Sequence, residues 1–189
     1  MEEEKVLEYR MYFFVPYNVS EIQKSLQAGH SALEYAHRYG QSDEFKNFMN
    51  NKTWIILNGG TTNDERDFDG IALGTLNQIG DQLNENNIEF AFFREPDLNN
   101  ALTALCFICD ERVFNRKDYP DFVDYILNIK MYSEAKKATS SAENMIMLKI
   151  KTNEELITMF PEYYKEWVRF VGGIKNVFLR ELIKDKKLA

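Results

Sequence analysis

The run Ala101–Cys109, ALTALCFIC, is apolar at odd and even positions alike, with Thr103 its one polar interruption. Side chains alternate between the two sides of a strand. A strand apolar on both sides therefore needs cover on both, which places it inside a sheet. The same run holds both cysteines, as Cys106-Phe107-Ile108-Cys109. A redox or zinc pair needs a turn or helix start that brings two sulfurs to one point. Three apart on a strand they face opposite ways, and His30 and His37 lie far off in the chain. Core cysteines, with no metal, are expected.

Ile88–Phe93 reads as a second strand, joined to the first by Arg94–Asn100. That link is too short for a crossover helix, so the pair is expected to be antiparallel. Upstream, Leu7–Val15 reads as a strand closed by Pro16, and Thr53–Leu57 as another ended by Asn58-Gly59-Gly60. The Asn-Gly-Gly-Thr sequence lacks the Gly-Lys-Ser/Thr and helix start of a phosphate-binding loop. Between these strands, Ser20 and Gln23 have the spacing of a capping box. Ile22, Leu26, Gly29/His30, Leu33 and Ala36/His37 follow at helical spacing, which is expected to turn His30 to the buried side. Phe45, Phe48 and Met49 suggest a short helix. Leu73, Leu76, Ile79 and Leu83 mark an amphipathic one, in which Gly80 costs about 1 kcal/mol relative to Ala.

After Phe114 the pattern becomes helical. Tyr119–Lys137 reads as a helix, Thr139-Ser140-Ser141 as a break, and Met145–Ile150 as a short strand or part of a helix. From Thr152 the helical pattern resumes, with Pro161 suited to a first turn. An apolar stripe of Tyr163, Trp167, Phe170 and Val171 precedes a bend at Gly172-Gly173, and Ile174, Val177, Phe178 and Leu182 form the last stripe. The expectation is an α/β domain over residues 1–115 and a helical extension over 116–189. The extension is expected to pack on the domain or to make a protein-partner or homodimer contact.

A formal charge of −7 over 189 residues argues against tight non-specific nucleic-acid binding, which draws on a positive field. Only local clusters are basic: Lys130, Lys136 and Lys137, and Arg180, Lys184, Lys186 and Lys187. The plain reading of both is a solvated helix face and a frayed terminus. No apolar run reaches the roughly 18 residues that cross a bilayer, and Met1-Glu2-Glu3-Glu4 opens no secretory signal. A cytoplasmic protein with no membrane contact is expected.

The order strand, helix, short helix, strand, helix, strand, strand is similar to that of the type 2 peptidyl-tRNA hydrolases. In that family a helix after the first strand bears a Lys, then Ala-Ala-Gln, two residues, and His-Ala-Ala. Here Ser25-Leu26-Gln27-Ala28-Gly29-His30-Ser31-Ala32 matches it at Gln27 and His30. The family's loop after the third strand opens with an acidic residue, and its fourth strand begins with a Thr. Here these are Glu95 and Thr103. Gln23 stands where the family has its Lys, with Lys24 adjacent. The family's Asp-Ala-Gly-x-Thr loop becomes Glu95-Pro96-Asp97-Leu98-Asn99. The resemblance covers about Tyr9 to Asp110. It implies a mixed four-stranded sheet flanked by helices, no cofactor, and hydrolysis of the ester between a peptide and tRNA.

Ester hydrolysis needs a group to orient or deprotonate water and a donor or cation for the oxyanion. The resemblance puts Gln27, His30, Glu95 and Thr103 forward as catalytic candidates, and Lys24, Asp97 and Asn99 as substrate-binding ones. Glu95 or His30 could serve as base, Gln27 or Asn99 as oxyanion donor, and Lys24 as the substitute cation. Each also has a structural reading. His30 fits a core histidine, Gln27 a partner for backbone, Glu95-Pro96-Asp97 a tight turn, and Thr103 a β-branched strand residue. Two functions stand side by side: a hydrolase whose tRNA is held by local basic patches, or a non-catalytic binding protein on the same scaffold.

Overall fold

The computed structural model describes residues 6–134 and 152–189. Thr139-Ser140-Ser141 and Met145–Ile150 lie outside the described residues. The chain divides into two compact units: residues up to Glu111 with Glu181–Ala189, and Arg112–Arg180.

The first unit is built on strands β1 (Tyr9–Pro16), β2 (Thr53–Gly60), β3 (Phe90–Glu95) and β4 (Ala101–Asp110). They form one mixed sheet in the order β2-β1-β4-β3. β1 runs parallel to β2, with Met11 opposite Trp54 and Phe13 opposite Ile56. β4 is antiparallel to both neighbours, pairing Phe13 with Cys106 and Ala91 with Cys106 on its two sides. The strand apolar on both faces is thus an interior one, and nine of its ten residues are buried.

Helices cover both faces. α1 (Glu21–Tyr39) and α2 (Asp43–Asn51) form the crossover that parallel β1 and β2 require. They enclose a core of Met11, Phe13, Val15, Ala28, Tyr35, Phe48, Ala91, Ala104, Cys106 and Ile108. α3 (Thr75–Glu85) lies against the other face through Leu76, Ile79 and Leu83. The glycines ending β2 let it come close. A Cβ on Gly60, at φ +84, would meet the Thr75 hydroxyl at 1.9 Å, and that hydroxyl donates to Gly59 O at 3.0 Å. Asn58-Gly59-Gly60 is therefore a packing device.

Residues 187–189 return to the outer edge of β2. Asn58 N donates to Lys187 O and Ala189 N to Ile56 O, both at 3.0 Å, around an antiparallel Leu57–Leu188 bridge. Backbone groups that an edge strand would leave open are paired. α1 starts at the expected capping box. The Ser20 hydroxyl accepts from Gln23 N, and Gln23 Oε1 accepts from Ser20 N at 3.1 Å.

The face α1 turns to the sheet is not the stripe its apolar spacing predicts. The buried residues are Gln27, Ala28, Ser31 and Tyr35, while Ile22, Leu26 and Leu33 are 75%, 56% and 70% exposed. Small and hydrogen-bonding residues win the buried side because they let the helix sit close and still satisfy their polar atoms. The Ser31 hydroxyl donates to Ala28 O at 2.9 Å, and the Cys106 thiol to Ser31 O at 3.2 Å.

The second unit begins within the four-residue helix α4 (Glu111–Phe114) and contains α5 (Phe122–Glu134), α6 (Asn153–Met159) and α7 (Pro161–Phe170). Phe122, Ile126, Leu127, Leu156, Trp167 and Val171 form its own core. Pro161 stands in the first turn of α7, as expected. The chain reverses at Gly172 and Gly173, at φ +91 and +107, where Gly173 N donates to Val168 O at 2.7 Å. α8 (Ile174–Ile183) follows. Arg180, counted above in a basic cluster, is fully buried. It donates to Arg112 O, Tyr119 O and the Asp121 carboxylate at 2.5, 2.9 and 2.6 Å, so it is a structural cation and leaves that patch to Lys184, Lys186 and Lys187. No described helix is long and apolar enough to cross a membrane.

Candidate functional site

The resemblance brought forward residues from α1, the end of β3 and the start of β4, and the sheet order makes these neighbours. The Thr103 hydroxyl donates to Gln27 Oε1 at 2.7 Å. Gln27 Nε2 donates to Glu95 Oε2 at 2.7 Å. A carboxylate can only accept, so Glu95 fixes which end of the amide is nitrogen and Thr103 takes the oxygen. Gln27 and Thr103 are 8% and 2% exposed, whereas Glu95 is half-buried at the sheet edge. The result is a three-residue relay that holds one carboxylate oriented at the surface.

A β-bulge puts Thr103 there. Phe93 pairs with Ala104 and Arg94 with Leu102, so Thr103 is an extra residue on β4. Strict alternation would set it on the α3 side with Leu105. The bulge turns it to the α1 side beside Ala104, a re-aiming that bulges commonly perform. Its hydroxyl also lies 3.3 Å from Phe93 O.

The turn carrying Glu95 is braced from the loop after β2. The Arg94 guanidinium grips both oxygens of Asp64 at 2.8 Å and donates to Asn100 O at 2.9 Å. This fork holds the Asp64 carboxyl below its ordinary range. The Thr62 hydroxyl donates to Leu102 O. Pro96-Asp97-Leu98 makes a single 3-10 turn, and Asn99 and Asn100 follow in the left-handed region at φ +51 and +59, which Asn tolerates better than most residues. Asp97 and Asn99 are exposed on this turn and hydrogen-bond to none of the relay residues. The structure thus gives Asn99 a backbone role and does not bring these two substrate-binding candidates to the relay.

His30 is exposed rather than on the buried side. Its ring stacks on Phe93 with centroids 4.4 Å apart, two residues before Glu95 on the same face of β3. Gln23, at the family's Lys position, is occupied by the capping box. Lys24 lies one turn before Gln27 and Ala28. Its side chain is 11% exposed and its Nζ meets Glu21, itself largely exposed, at 2.8 Å. Sequence reasoning missed Arg94, Asp64 and the bulge. Only the Arg-Glu pair at the end of an aromatic strand hinted at the first.

Cys106 and Cys109 are free, buried and on opposite faces of β4. Burial pushes the Cys106 thiol up to about 12 and raises Cys109 as well, which suits core residues. No cluster of three His, Cys, Asp or Glu able to hold a metal occurs among the described residues. No protein-family model matches the sequence, and no curated protein matches it.

Proposed function

We propose that this chain hydrolyses the ester between a peptide and tRNA, with Glu95 as the reacting group. The observation that carries the reading is the Thr103–Gln27–Glu95 relay. Two nearly buried residues orient one half-exposed carboxylate, an arrangement suited to a base that must meet a substrate from solvent. Glu95 takes a proton from water as the water oxygen attacks the ester carbonyl. The proton then passes to the departing ribose oxygen. Gln27 and Thr103 position Glu95 rather than touch substrate. Lys24, paired among the described residues with a largely exposed Glu21, supplies the cation for the developing oxyanion, and His30 on Phe93 borders the same site. Mixed sheet, helical cover and residue order agree with the resemblance to type 2 peptidyl-tRNA hydrolases.

A non-catalytic binding protein on this scaffold is the second reading. It is favoured by Gln27 and Thr103 satisfying one another, which leaves Glu95 alone of the relay to meet a ligand. Release of peptide from peptidyl-tRNA by purified protein separates the two. The hydrolase reading expects turnover that falls about 100-fold or more in Glu95→Gln, with the melting temperature held. Wild-type protein no faster than buffer, at low and moderate salt, sinks it. Low salt is included because an acidic protein holds RNA through screened local charges.

A further inference from the structure

Phe68 stands fully in solvent, and Ile71 and Leu73, on either side of buried Ala72, are about half exposed. The loop that carries them is braced along its length. Arg66 and Ala72 form an antiparallel bridge, and Asp67 N donates to Ile71 O at 2.9 Å. The Asp67 carboxylate accepts from Asp69 N and Ile71 N at 3.0 and 2.9 Å. The Arg66 guanidinium ties this hairpin to α3 through both oxygens of Asp81, at 2.9 and 3.1 Å. Single exposed apolar residues are ordinary, but three grouped on one fixed tip mark an interaction face. A tip already held in shape loses little freedom when a partner covers it. Beside it, between the hairpin and α3, lies a cleft of about 480 Å³ whose lining includes Asp69, Ile71, Gln78, Asp81, Gln82 and Glu85.

We propose that this tip and cleft dock a basic segment of another protein, one in which an apolar side chain lies between Lys or Arg residues. Charge identifies the occupant. Residues 61–89 hold seven acids and one base, Arg66, so six of the chain's seven net negative charges lie in this stretch. Arg66 is engaged by Asp81, and Asp64 by Arg94. Glu65, Asp69 and Glu85 are exposed, and none of them is in an ion pair among the described residues. A Lys or Arg entering the cleft meets Asp69 and Glu85, while its aliphatic stem and the neighbouring apolar residue cover Phe68 and Ile71. Complementary charge of this kind steers encounter and rejects partners of the wrong sign. RNA, an anionic membrane and the same face of a second copy all carry that wrong sign. The docking face belongs to the α3 side of the sheet, so the inference does not depend on Glu95 or on hydrolysis.

The test is fluorescence anisotropy of a short labelled peptide of Lys, Arg and Leu titrated with the full chain at low and moderate salt. Two matched peptides serve as controls, one with Ser in place of Leu and one with Glu in place of Lys and Arg. The Lys/Arg/Leu peptide should bind in the micromolar range and more weakly as salt rises. Phe68→Ser should weaken that binding about 10-fold or more, and Asp69→Asn with Glu85→Gln by a similar factor. Asp43→Asn with Glu44→Gln removes the same charge from exposed positions on α2 and should leave binding unchanged. All five side chains are exposed, so circular dichroism should show each fold intact. No binding at low salt overturns the inference. So does binding that ignores Phe68, binding as tight to the Ser peptide, or an equal loss in the Asp43 and Glu44 variant. A labelled RNA, a phosphatidylglycerol vesicle or a second copy held through Phe68 overturns it as well.

Discussion

The Thr103 hydroxyl donates to the Gln27 side-chain carbonyl across 2.7 Å, although 76 positions separate them in the chain. Thr103→Val keeps the shape and removes the donor, leaving a buried amide oxygen unsatisfied. An orphaned buried acceptor costs about 1–3 kcal/mol, and urea denaturation should show a loss in that range. Gln27→Met combined with Thr103→Val should cost less than the two changes summed, because neither polar partner then remains. Strict additivity would show that the contact carries no coupling.

Gly80 lies in the interior of α3, where glycine costs about 1 kcal/mol relative to alanine. A Cβ there would meet the two methyl carbons of Leu105 at 3.7 Å, ordinary contact distance. Gly80→Ala should therefore stabilise the protein by about 0.5–1 kcal/mol. A fall in melting temperature would mean that α3 and β4 are more tightly opposed than this spacing implies.

The buried thiol of Cys106 makes stability depend on alkali. Its folded value is pushed up to about 12 from an ordinary 9.0, chiefly by burial. The unfolded chain thus gives up the proton first, so between these values it binds fewer protons than the native chain and stability falls as pH rises. The contribution is whole below the unfolded value and lost as pH climbs through the folded one. Cys106→Ala should flatten the fall in stability above about pH 9 relative to wild type. At pH 8 the native thiol should resist iodoacetamide and react once urea unfolds the chain. Equal alkaline slopes in the two proteins would contradict this.

Arg180 holds the Arg112–Arg180 unit together from inside. Its guanidinium bonds two main-chain carbonyls and Asp121, and it lies 5.6 Å from the Trp167 ring centroid. Asp121 keeps a second partner in Arg116 at 3.1 Å, so losing Arg180 does not strand its charge. Arg180→Met should cost about 2–3 kcal/mol, below the range for a wholly orphaned buried ion. Denaturation followed by Trp167 fluorescence, in a Trp54→Phe background, reads that unit alone. A cost near zero would show that these buried contacts do not hold the unit together.

The elements themselves were written locally. The two-sided apolar run fixed β4 as an interior strand, the short Arg94–Asn100 link fixed its antiparallel partner, and Ser20 with Gln23 set the start of α1. Such signals survive because they depend on residues a few positions apart: alternation, chain reach and a cap. Periodicity also found the apolar stripe of α1 but could not say what it faces. A helix has two sides, and the sheet took the one whose small and polar residues fit close and found hydrogen-bond partners. The same limit governed the site. Gln27, Glu95 and Thr103 could be picked out by spacing, but whether Thr103 reached α1 turned on one extra residue in β4. That bulge is decided by pairing between strands, with Arg94 braced on Asp64 30 positions away. Pairwise contacts across such separations are set when the chain closes on itself, so only the tertiary structure could place them.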